Sequence, residues 1–168
     1  MVICGGGNLA HLAVAFFGFR HEIRINILTT RPQDFKTMCI AAHTEDTAWK
    51  RRGEVAGKIN KVSDKPSEVV PGSQIVLLCV PYFKMFELAG RIFPFCDKHT
   101  AIGSLYGVGG IDWIIYTHWT RHFRNNYMTV FTLQDPPANC KVRERGKSVD
   151  VLGCRNILYF FLVFPLDY

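Results

Sequence analysis

Residues 2–17 read VICGGGNLAHLAVAFF. Val2-Ile3-Cys4 has the make-up of a short buried strand. Three glycines follow, and Asn8 to Phe17 then sets Leu9, Leu12, Ala13, Phe16 and Phe17 on one helical apolar stripe. Between strand and helix, Gly5-Gly6-Gly7-Asn8-Leu9-Ala10 fits the pattern Gly-x-Gly-x-x-Ala. Each small residue has a physical task. Gly5 permits the tight turn out of the strand, Gly7 lets a pyrophosphate approach the backbone, and Ala10 lets the helix lie close to the sheet. The first N–H groups of the helix then face the phosphates, aided by the helix dipole. A strand before, a helix after and a second strand soon afterwards favour nucleotide binding over a structural turn.

The neighbouring segments extend the pattern. Ile23 to Thr29 alternates and is rich in β-branched residues, which predicts the second strand. Pro32 and Asp34 suit the first turn of a helix running to about Ala42. Lys58 to Val62 reads as a short strand, and Ser67 to Val70 as a helical turn ended by Pro71-Gly72. Gln74 to Val80 (QIVLLCV) is a continuous apolar run, as expected of a parallel strand covered on both faces. Phe83 to Phe93 reads as an amphipathic helix, Thr100 to Leu105 as a strand, Asp112 to Trp119 as a helix and Tyr127 to Leu133 as a strand. Strands alternating with helices predict an α/β fold with a doubly wound, mainly parallel sheet of the Rossmann type.

Composition bounds the alternatives. A 168-residue chain suffices for one domain with a real core. With 48% hydrophobic and 20% charged residues it is not a disordered segment. The net charge of +6 attracts anions. Its densest basic clusters, Lys50-Arg51-Arg52 and Lys141 to Lys147, are short and read as solvated faces, so no nucleic-acid partner is expected. The six cysteines form no Cys-x-x-Cys pair, and Cys4 and Cys79 lie in apolar runs, which favours a reducing, cytoplasmic setting. No secretory signal is read at the start. The longest apolar stretch, Ile157 to Phe164, is too short to span a bilayer and reads first as a buried final strand.

The ends of the strands carry the candidate site. An acidic residue at the end of the second strand would take the hydroxyls of an adenosine ribose. Here the strand ends in Thr29-Thr30-Arg31, with no acid. Arg31 is open to three readings: stacking on adenine, meeting a 2′-phosphate, or standing as a solvated surface arginine. NAD and NADP thus both remain open. Val80-Pro81-Tyr82-Phe83 and Leu105 to Gly110 are the further loops at strand ends, each readable as a cofactor contact or as plain packing and turn. None of the six histidines has a partnering carboxylate at a telling spacing. His118 and His122 are four apart, but with no third ligand they read as surface or capping residues, and no metal is expected.

Three ordered segments resemble the opine dehydrogenases, the octopine, tauropine, alanopine and strombine group. They are CGGGNLAH (residues 4–11), the stretch from Ser67 to Trp113, and CKVRERGKSVDVLG (residues 140–153). The resemblance implies an NAD-binding Rossmann domain over residues 1–153, followed in the family by a helical domain. The family reductively condenses an amino acid with a 2-keto acid such as pyruvate, using NADH. It implies cofactor contacts at Gly5, Gly7, Asn8, Leu9 and Ala10, and at Val80, Pro81 and Leu105, with Cys140 approaching the substrate; Thr29 and Arg31, at the end of the second strand, complete the expected cofactor contacts. Val108 stands where the family has a glutamine, and Ala138 where it has a tryptophan near Cys140. After Gly153 the sequence likeness stops, leaving residues 154–168 as an apolar tail. The helical domain and its catalytic histidine–aspartate pair are expected to be absent, which reads as a truncated product not competent alone. The alternative is a non-enzymatic, nucleotide-binding fragment that associates with a full-length homologue through the tail.

Overall fold

The short apolar runs at both ends of the glycine turn become the centre of a sheet. The computed structural model describes residues 1–44, 55–107, 109–122 and 129–163. In chain order its elements are β1 (Val2–Cys4), α1 (Asn8–Phe17), β2 (Asn26–Leu28), β3 (Cys39–Thr44), β4 (Val55–Lys58), β5 (Lys61–Ser63), α2 (Pro66–Val69), β6 (Ile75–Leu78), α3 (Tyr82–Ile92), β7 (Ala101–Ser104), α4 (Ile111–His122), β8 (Val130–Leu133), β9 (Ala138–Glu144), β10 (Ser148–Cys154) and β11 (Phe160–Val163).

The main sheet has the order β11-β8-β7-β6-β1-β2-β5. Its strands from β5 to β8 pair in parallel, and β11 closes one edge antiparallel to β8. The chain winds outward from β1 through β2 to β5, then recrosses to β6 and winds the other way. The order therefore reverses between β1 and β6, where a doubly wound sheet opens a crevice at its carboxyl ends.

Alternation along β1 splits the core in two. Val2 and Cys4 pack with Val76, Leu78 and Ile102 against Met85, Ile92 and Phe93 of the α3 segment and Ile115 and Trp119 of α4. Ile3 faces the other way, with Ile27 and Leu77, onto α1. A second sheet, β4-β3-β10-β9, lies beyond α1. Helix α1 is thus sandwiched, and Ala10 to Ala15 are all buried. The one-sided stripe expected for it gives way to a helix covered all round. The sandwich is close: a Cβ at Gly57 would fall 1.8 Å from the carbonyl oxygen of Val14.

Three expectations are corrected. The helix predicted over residues 32–42 is a single 3₁₀ turn, Pro32–Asp34, followed by β3. Ile40 and Ala42 are buried while Ala41 and His43 are partly exposed, a period of two that helix-favouring alanines disguise. The strand predicted over 58–62 is the junction of β4 and β5, where the chain passes from one sheet to the other. The final apolar stretch does form a strand, but not a buried one: Phe160, Phe161 and Leu162 are 64%, 55% and 48% exposed. Lys50-Arg51-Arg52, Val108 and Tyr127 lie outside the described residues.

Candidate functional site: a cleft at the reversal of strand order

The glycine turn crosses from β1 to α1 at the reversal point. Gly5 has φ 138°, and its N–H donates to the carbonyl of Leu28 at 2.8 Å. A Cβ there would lie 2.4 Å from the Cys79 carbonyl oxygen, so only glycine turns this close to the end of β6. Gly7 differs. It precedes α1 with φ −95°, and among the described residues no atom beyond its chain neighbours and the helix backbone lies within 4 Å of where its Cβ would be. Its bareness serves no packing inside the chain; a side chain there would project into open space at the mouth of the turn. Helix α1 has no side-chain cap and no acidic residue in its first turn. Its leading N–H groups lack intrahelical acceptors and carry the positive end of the helix dipole.

A cleft of about 300 Å³ opens between Gly5–Gly7, Leu28–Thr30 and Cys79–Pro81. It brings together Gly5, Gly7, Thr29, Val80 and Pro81 of the predicted set. Arg31 lies on an adjoining cleft of about 170 Å³ that shares Gly6, Gly7, Thr29 and Thr30. The other predicted residues sit elsewhere. Asn8 accepts the Val142 N–H through Oδ1 at 3.0 Å, tying α1 to β9. Leu9 packs against the core beside α1, Ala10 is buried within it, and the side chain of Leu105 is buried in the same core. Cys140 is half-buried on β9, close enough to Cys79 to influence its ionisation. Burial pushes the two thiols up to about 11 and about 12, so both are protonated at neutral pH.

The structure adds residues that sequence reading passed over. Lys84, Glu87 and Arg91 line the main cleft from α3. Their spacing of three and four after Pro81 is the signal, since it puts them on one helical face. Arg145 lines the smaller cleft although it comes from the turn between β9 and β10.

His11 joins these parts. Its Nε2 accepts the Gly146 N–H at 2.8 Å, which leaves Nδ1 to donate to the Gly7 carbonyl oxygen at 2.9 Å. One neutral imidazole thus bridges the glycine turn and the β9–β10 turn, with Phe35 beside its ring. Burial holds its pKa below the ordinary histidine value. His118, expected at the surface or as a cap, is instead 6% exposed between Phe86 and Phe93. Two aromatic rings and the bare backbone of Gly90 make room for it. Among the described residues no group of three or more side chains is arranged to hold a metal ion. On the basic hairpin, Arg143 pairs with Asp150 at 2.6 Å and Lys147 with Glu144. A further cleft of about 370 Å³ lies beyond the end of β7, between Gly107, Gly109, Thr132 and Gln134.

No family model matches the chain. Individual proteins do. It is 25% identical over 161 residues to an opine dehydrogenase of Haliotis discus hannai, covering 90% of this chain and 39% of that protein. It is 24% identical over 165 residues to a tauropine dehydrogenase of Arabella iricolor, covering 95% and 41%. The structure of octopine dehydrogenase with NADH and L-arginine matches with a TM-score of 0.85 at 20% identity, over 96% of this chain and 41% of that one. The chain resembles the opine dehydrogenases. It spans 39–41% of the length of these relatives. Yersinopine dehydrogenase with NADP+ bound matches with a TM-score of 0.81 at 14% identity, over 95% and 40%. The sequence match to the tauropine dehydrogenase and the structural match to octopine dehydrogenase cover 95% and 96% of this chain, more than residues 2–153 contain, so the expectation that the likeness stops at Gly153 is corrected.

Proposed function

We propose that this chain is the nicotinamide dinucleotide-binding part of an oxidoreductase of the opine dehydrogenase type, which joins an amino acid to a 2-keto acid such as pyruvate. The observation that carries this reading is the glycine turn at the reversal of strand order, with Gly7 bare toward open space and α1 uncapped behind it. The turn and helix fit a pyrophosphate. The backbone of Val80-Pro81 and the loop from Leu105 to Gly110 border the nicotinamide, and the Cys140 thiol serves as a neutral contact toward the substrate rather than as a nucleophile. Bound nicotinamide supplies the hydride. The dinucleotide-binding unit takes in residues 1–153 together with β11, which pairs with β8 at the edge of the main sheet. The chain of 168 residues by itself binds the dinucleotide without turning it over, in keeping with the share of the relatives that it spans.

The setting is the cytosol. No disulfide joins any of the six cysteines. Among the described residues, no helix is long and apolar enough to cross a membrane. Titration with NADH followed by fluorescence tests the binding half, and no saturable change overturns it. Mixing the chain with NADH, pyruvate and an amino acid tests the other half: catalytic loss of NADH contradicts the inactivity of the isolated chain.

One observation favours a second reading, a non-enzymatic fragment that binds a full-length homologue. Ile157, Tyr159, Phe160 and Phe161 are exposed along the β11 edge, where unpaired backbone invites another strand. Sedimentation with a full-length homologue distinguishes the two. Co-sedimentation abolished by Phe161→Lys supports the second reading, and independent sedimentation removes it.

A further inference from the structure

Resting on the dinucleotide reading, we propose that the small cleft beside Thr29 and Thr30 is a 2′-phosphate site, with Arg31 and Arg145 as its cations, so that this chain selects NADPH over NADH. The two arginines are far apart in sequence and meet only through the fold. Arg31 is set at the strand end by its own N–H, which donates to Thr29 Oγ1 at 3.3 Å. Arg145 is set by its neighbour Gly146, whose backbone is held from three sides. The N–H of Gly146 donates to His11 Nε2 at 2.8 Å, and its carbonyl accepts the Thr37 hydroxyl at 3.1 Å. Its φ is +69°, and a Cβ would fall 1.8 Å from the Asp34 carbonyl oxygen. The turn is therefore seated directly on the backbone that follows Arg31, which fixes the point from which the Arg145 side chain projects.

Charge sets the choice of ligand. Neither guanidinium is engaged in an ion pair among the described residues. Asp34 lies on the same cleft and opposes them, because a carboxylate there favours a free 2′-hydroxyl. Two cations against one anion leave the rim net positive, and a phosphate monoester carries nearly two negative charges at neutral pH. Guanidinium groups also match phosphate geometry through paired N–H donors. The ordinary alternative, a carboxylate at the strand end holding both ribose hydroxyls, is missing: the strand ends in Thr29-Thr30-Arg31.

Calorimetric titration with NADPH, NADH, adenosine 2′,5′-bisphosphate and ADP tests this on the full chain and on Arg31→Gln and Arg145→Gln. The proposal expects NADPH to bind at least about tenfold tighter than NADH, and the bisphosphate to outbind ADP in the same sense. Each substitution should remove most of that ratio, weakening NADPH binding more than NADH binding. Asp34→Asn should widen the ratio. Circular dichroism melts identical to the parent's confirm that the variants fold. NADH binding as tightly as NADPH, or a preference that survives both arginine substitutions, overturns the phosphate site and leaves the glycine cleft intact. Failure of both dinucleotides to bind overturns the two readings together.

Discussion

At Gly5 a left-handed backbone and a Cβ position 2.4 Å from the Cys79 carbonyl coincide. Gly5→Ala is predicted to cost about 1–3 kcal/mol from backbone strain alone, before any shift of β6 is counted. Urea denaturation measures it, and an unchanged midpoint contradicts the account. His11 makes a pH prediction. Its folded-state pKa lies below the ordinary value of about 6.5, so between the two the unfolded chain binds more protons. Stability therefore falls as pH drops through about 6.5 and levels off once the folded imidazole also protonates. His118 is shifted in the same direction and adds to the slope. Unfolding midpoints taken from about pH 7.5 to about pH 5.5 should fall less steeply in His11→Phe than in the parent. An equal slope would mean that His11 is not one of the groups responsible.

Secondary structure was legible where a single segment decided it. Val2-Ile3-Cys4, QIVLLCV and the Phe83–Phe93 run announce their elements by length and apolar content, and each is found within a few residues of where it was read. The second sheet was not legible, because its strands depend on partners far along the chain. β3 pairs with β10 in parallel and with β4 antiparallel. Nothing local in Cys39–Thr44 announces either partner, and its alanines point toward a helix. Asn8 shows the same limit at the site. Its place in the glycine motif announces a cofactor contact but not the tie that its side chain makes to β9. Asn8→Ala is predicted to cost about 0.5–1.5 kcal/mol by leaving the Val142 N–H without its acceptor. Faster hydrogen exchange at that amide checks the assignment, and unchanged exchange contradicts it.

The whole molecule is two sheets with α1 between them and helices on the far face of the larger one. The glycine turn sits where the strand order of the main sheet reverses, so one short motif fixed both the fold and the position of the cleft. What it did not fix was the rim. Arg145, Lys84 and Arg91 reach the clefts from other elements, and only tertiary packing shows that they do. The central claim is that Gly7 is bare to admit a dinucleotide phosphate rather than to permit the fold. Titration of the parent chain and of Gly7→Val with NADH and NADPH, beside urea unfolding of both, tests it most directly. The account predicts one dinucleotide bound per parent chain, and at least about tenfold weaker binding by Gly7→Val at an unchanged unfolding midpoint. Equal affinity in the two proteins, or a Gly7→Val chain that unfolds well before the parent, would contradict it.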